Sequence, residues 1–193
     1  VESMTRSLPV SDMGKLISLA KKNTEQNLDL QYKMAVATFQ GMEQKGEKPG
    51  AALQNWYTSL AEDILKQIPN EQEGWTDEAR QQQRYAAEVA GRYKLTALVP
   101  ALQKLFLQPH ADEDTRAITA NALMDISANN GPMIAQVLAD GDAGISLRQK
   151  MAHALGRSEN AQSMRLLGEG LKGAPMEVQE AVATVLATKS QGK

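Results

Sequence analysis

The sequence predicts an all-α chain of about five helical hairpins, stacked into a right-handed α–α superhelix. Three observations predict it. Two apolar patterns recur at a spacing of 31–32 residues, the length of two helices and a turn. No segment alternates apolar and polar residues for long enough to make a strand. Aromatics are only 4% of the chain, so Leu, Ala, Met and Val must fill the core, a palette suited to helices.

The first pattern is a small residue or proline followed by apolar residues at +2, +5 and +6. It reads Pro100, Leu102, Leu105, Phe106 and again Pro132, Ile134, Val137, Leu138. Ala51, Leu53, Trp56, Tyr57 follows it, and Ala161, Ser163, Leu166, Leu167 does so more loosely. These spacings share one helical face, and proline suits a first helical turn. The second pattern has residues at i, i+4, i+7 and i+8 with alanine inside. Its copies are Leu147, Met151, Ala154, Leu155; Val178, Val182, Val185, Leu186; Thr115, Thr119, Ala122, Leu123; Leu30, Met34, Ala37, Thr38; and Gln82, Ala86, Val89, Ala90. Helices are expected near 11–22, 28–43, 50–68, 76–93, 96–107, 113–128, 132–139, 145–156, 159–171 and 175–188. Gly41 to Gly50 and Gln67 to Thr76 read as polar loops, and Asn130-Gly131, Gly141, Gly144 and Gly173 as turns.

Apolar residues make up 42%, enough for a sizeable core. Net charge is −2 without a basic run, which argues against a nucleic-acid partner. The absence of cysteine removes disulfides, thiol catalysis and Cys-ligated zinc. No apolar run approaches the roughly 18 residues that a membrane span needs, so no membrane insertion is expected.

Leu147-Arg148-Gln149-Lys150-Met151-Ala152-His153-Ala154-Leu155-Gly156-Arg157 resembles the second helix of a HEAT-like, armadillo-type repeat, and Thr115-Arg116 through Ala122-Leu123 resembles it too. The resemblance implies a single HEAT-like domain over 1–193, with irregular hairpins over 1–94 and regular repeats over 95–188. It specifies a fold and hardly any function. From Lys33 onward the order also resembles the helical-repeat segment of large exported bacterial proteins: a Gly41-Met42-Glu43-Gln44-Lys45-Gly46 loop, a long hairpin, then compact Ala-Leu-Gly-Arg repeats. In that family a sugar-dehydrogenase-like propeller precedes and a haem c domain follows. The likeness implies a piece of a larger polypeptide, in keeping with Val1 in place of Met, and a periplasmic or exported location, with the cytoplasm as the alternative. The redox groups would belong to the neighbouring domains.

No cofactor or metal is expected. Gly168-Glu169-Gly170-Leu171-Lys172-Gly173 has dinucleotide-loop spacing, but a helical pattern precedes it in place of a strand. Gly41 to Gly46 has phosphate-loop glycine spacing but is followed by Glu47. Asp140-Gly141-Asp142 opens like a calcium loop, yet Gly144 and Met151 fall where oxygen ligands belong, so Asp142 is expected to cap the next helix. His110 and His153 make a poor zinc pair, and His153 is expected to be exposed.

The leading reading is a non-catalytic scaffold or protein-interaction module that docks neighbouring domains or partner proteins. The alternative is a HEAT-like enzyme or accessory subunit, bilin lyase-like or DNA-base-repair-like. Partner-binding candidates are Arg116, Arg148, Arg157 and Trp75. Arg116 and Arg148 could form a basic ladder for an acidic partner. The plainer reading, adopted here, pairs each with an Asp or Glu nearby. Ala152 is expected to be buried at a helix crossing. Glu177, Glu180, Thr184 and Thr188 form only a narrow polar stripe on the last helix. Its remaining wide apolar surface is expected to meet a following domain, a partner, or a second copy in a weak homodimer.

Overall fold

The computed structural model describes Ser18, residues 27–46, 48–158 and 160–190. Among these residues there are nine α-helices, three short 3-10 turns and no strand. Apart from Ser18, the helix expected over 11–22 lies outside the described residues.

Two compact units divide at Ile68 and Pro69. In the first, α1 (Leu28–Lys45) packs on α2 (Ala51–Lys66). Leu53, Trp56 and Tyr57 are buried, as the first pattern predicts. The second pattern holds only in part in α1. Thr38 is buried, but Leu30 is 42% exposed, and Ala35 and Met42 complete the buried stripe. Gly41 is buried and α1 runs on to Lys45, so the polar loop is shorter than expected.

The second unit contains α3 (Asp77–Arg92), α4 (Val99–Phe106), α5 (Glu113–Ile126), α6 (Gly131–Ala139), α7 (Ile145–Gly156), α8 (Ala161–Gly170) and α9 (Met176–Ser190). The odd-numbered helices lie side by side, α3 on α5, α5 on α7 and α7 on α9. The even-numbered helices cover them, with α4 on α5, α6 on α7, and α8 on both α6 and α7. The residues of both apolar patterns line the space between. Leu102, Leu105, Phe106, Ile134 and Leu138 are fully buried, as are Thr119, Leu123, Met151, Ala154, Leu155, Val178 and Val182. Ala152 is also fully buried.

Caps fix where the helices start. Thr76 Oγ1 accepts from the Ala79 N–H, Asp112 Oδ1 from Thr115 and Asn160 Oδ1 from Ser163. The cap of α7 differs from expectation. Gly144 occupies that position, and Asp140, not Asp142, supplies the local carboxylate by accepting from the Asp142 N–H.

Glycine sets how closely the helices approach. A Cβ on Gly91 of α3 would lie 2.8 Å from Ala122 Cα of α5. One on Gly170 of α8 would lie 2.5 Å from Leu138 Cδ2 of α6. In the Gly168–Gly173 segment, Gly170 therefore serves a close crossing and Gly173, at φ +70°, the turn after the helix.

The outer surface of α9 is less apolar than its sequence suggests. Val178, Val182 and Val185 are buried, and Ala183 and Ala187 are its exposed alanines. Among its described side chains only Met176 is a large exposed hydrophobe, at 72%.

Candidate functional site

The sequence-predicted candidates fall in different places. Trp75 is 3% exposed, and its indole N–H donates to the Pro69 carbonyl at 3.1 Å. It packs inward and offers no outward ring to a partner.

Arg116 and Arg148 have equivalent roles. Arg116 Nε donates to the Phe106 carbonyl at 3.1 Å, and Arg148 Nε donates to the Leu138 carbonyl at 2.8 Å. Each acceptor lies at the C-terminal end of the preceding even-numbered helix, where carbonyls lack intrahelical partners and the dipole favours a cation. Carbonyls thus take the hydrogen bonds that the plainer reading assigned to carboxylates. Arg116 also lies 5.5 Å from the Phe106 ring centroid. Burial pushes its pKa down, and the nearby charges of Asp140 and Glu113 oppose that.

Arg157 differs from both. It is exposed beyond the end of α7, and its Nε and Nη2 donate to Asp125 of α5 at 2.8 and 2.7 Å. This forked pair holds the guanidinium in one orientation. The hydrogen bond to Asp125 raises the Arg157 pKa above its usual value, against the effect of burial.

Arg157 and Asp125 border a cleft of about 360 Å³ that crosses α3, α5 and the end of α7. Gly91, Ala122 and Ile118 supply its less exposed surfaces, and Glu88, Arg92 and Asn121 its polar ones. A second depression shares Gly91, Arg92, Asp125 and Arg157 and extends past Lys94, Met124 and Ser158. Gly91 makes the shape possible, because only a missing Cβ lets α3 sit this close to α5. Sequence reasoning found Arg157 and missed the rest. The available signal was register, since Arg92, Asp125 and Arg157 stand 33 and 32 residues apart.

At the other end of the odd-numbered helices, charge pairs join neighbours. Arg84 Nη2 lies 2.7 Å from Asp112 Oδ2 and Arg80 Nε lies 3.2 Å from it. Lys150 Nζ lies 2.6 Å from Asp114 and 3.7 Å from Glu113. Burial of Asp112 would raise its pKa, but hydrogen bonds from the Thr115 N–H and Arg84 outweigh it and hold the carboxyl below its usual value. The hydrogen bond that Lys150 Nζ donates to Asp114 raises the Lys150 pKa. His153 is exposed, as expected. Among the described residues, no group of three or more His, Asp or Glu could hold a metal ion, and no helix is long and apolar enough to cross a membrane.

No family model, no curated protein and no solved structure matches the chain.

Proposed function

We propose that the chain is a non-catalytic protein-interaction module, a right-handed stack of HEAT-like hairpins whose odd-numbered helices carry the docking face. The single observation that carries this reading is the cleft across α3, α5 and Arg157 just past the end of α7. Its polar rim, Glu88, Arg92 and Arg157, is exposed, and two hydrogen bonds to Asp125 hold Arg157 in place. A surface with oriented polar groups around small and apolar floor residues suits recognition of another chain. The repeated Arg-to-carbonyl bonds, 32 residues apart at Arg116 and Arg148, support the repeat reading, because the same sequence feature performs the same local task twice.

The test places a photo-reactive side chain at Asn121 in the cleft or at Gln162 on the exposed side of α8, in the cells that make the protein. Crosslinking to one defined protein from position 121 and not from position 162 is expected. Equal, unspecific labelling from both positions overturns the assignment of this face.

A further inference from the structure

Lys94 is the only non-glycine residue with positive φ among the described residues, at +52°. It closes α3. Its N–H donates to the Gly91 carbonyl at 3.2 Å, and the Leu95 N–H donates to the Ala90 carbonyl at 2.9 Å. This bond pair defines a helix end whose left-handed position normally belongs to glycine. A side chain there brings its Cβ against the following carbonyl, a strain glycine lacks. The chain keeps lysine at that corner, and the same lysine lines the depression beside Arg92 and Arg157.

We propose that this cleft receives a carboxylate side chain from an acidic segment of a partner protein, with Lys94 and Arg157 as its two anchors. The inference rests on the interaction reading above and supplies the partner's chemistry. Three cations, Arg92, Lys94 and Arg157, come from two corners of the array and border one depression. Arg157 spends Nε and Nη2 on Asp125, so its position is fixed before any ligand arrives, which lowers the ordering cost of binding. Glu88 and Asp125 also line the cleft. They would repel a continuous polyanion such as a nucleic-acid backbone. Carboxylates separated by uncharged residues meet that repulsion at fewer points than a continuous polyanion does, and Ile118 offers apolar surface to the residues between them.

The experiment titrates the full chain with a labelled peptide alternating Glu and Ala, its Lys and Ala counterpart, and inorganic phosphate. The Glu peptide should bind with an affinity that falls as salt rises. Lys94→Gly and Arg157→Gln should each weaken it by about tenfold. Arg165→Gln on α8, a residue 63% exposed and paired with Glu169, should leave it unchanged. Lys94→Gly relieves strain, so an unaltered or raised melting temperature separates lost binding from lost folding. Binding of the Glu peptide by both cleft variants as tightly as by the unaltered chain overturns the proposal, as does preference for the Lys peptide. Displacement of the Glu peptide by an equal concentration of phosphate also overturns it, because the site is then a general anion site. Failure of every peptide to bind rejects the acidic segment, whereas the interaction reading stands or falls on the crosslinking result.

Discussion

The Arg148 side chain reaches back ten residues to donate Nε to the Leu138 carbonyl at 2.8 Å, from a position only 5% exposed. The bond ties the start of α7 to the end of α6 and leaves the guanidinium between helices. Its partner is a fixed backbone group, so the side chain is a structural clamp and has little freedom to contact another molecule.

Arg148→Ala should therefore destabilise the chain by roughly 2–3 kcal/mol, the cost of stranding a carbonyl that was bonded to a charged donor. Arg116→Ala removes the same bond at a less buried place and should cost about 1 kcal/mol. Urea unfolding measures both, and a larger loss at position 116 would contradict the burial argument.

Two glycine substitutions should act in opposite directions. Gly91→Ala sets a methyl 2.8 Å from the Ala122 backbone, which cannot rotate away, and should cost about 1–3 kcal/mol. Gly168→Ala lies inside α8 with nothing within 4 Å of its new Cβ and should gain about 0.5–1 kcal/mol. Thermal melts of the two variants provide the comparison.

Asp112 should make stability depend on acid. Its folded pKa lies below the ordinary 3.8, so it contributes stability that is present above that value. The contribution is lost as pH falls through the lower folded value. Asp112→Asn should flatten the stability profile in this acidic range and leave its shape near neutrality unchanged, as measured by denaturant titration at successive pH values.

Lys94→Gly should raise stability by up to about 1 kcal/mol, since glycine adopts positive φ without the Cβ clash and gives back part of the gain through its freer unfolded chain. A lower melting temperature would show that lysine makes compensating contacts at this corner.

Helix positions and most buried faces were legible in the sequence, because apolar spacing records which side of a helix meets its neighbours. Leu102, Leu105 and Phe106 needed no more than that. Helix α1 defeated the same reasoning. Ala, Val, Met and Phe occur around several of its faces, so periodicity does not single out Ala35 and Met42 as buried or Leu30 as exposed. The arginine clamps were half legible. Their recurrence marks a structural role, but a donor's sequence position does not distinguish a carboxylate from a helix-end carbonyl. The cleft was the least legible part, since Gly91, Asp125 and Arg157 meet only after three helices have packed. Lys94 carries no sequence sign of its left-handed backbone, where glycine is the usual choice.

The reach of the arginine clamps has a consequence for how the chain acquires its structure. Arg148 bonds ten residues back, Arg157 pairs 32 back, and Gln108 Nε2 donates to Pro69, 39 back. Each stretch of the 69–190 unit thus meets these partners in the stretch made shortly before it. Closing such short loops carries a small entropic cost, and low contact order favours rapid ordering. The clamp between α6 and α7 needs no residue of α9. A chain lengthening from the ribosome can therefore order pair by pair, each finished hairpin serving as the template on which the next one settles.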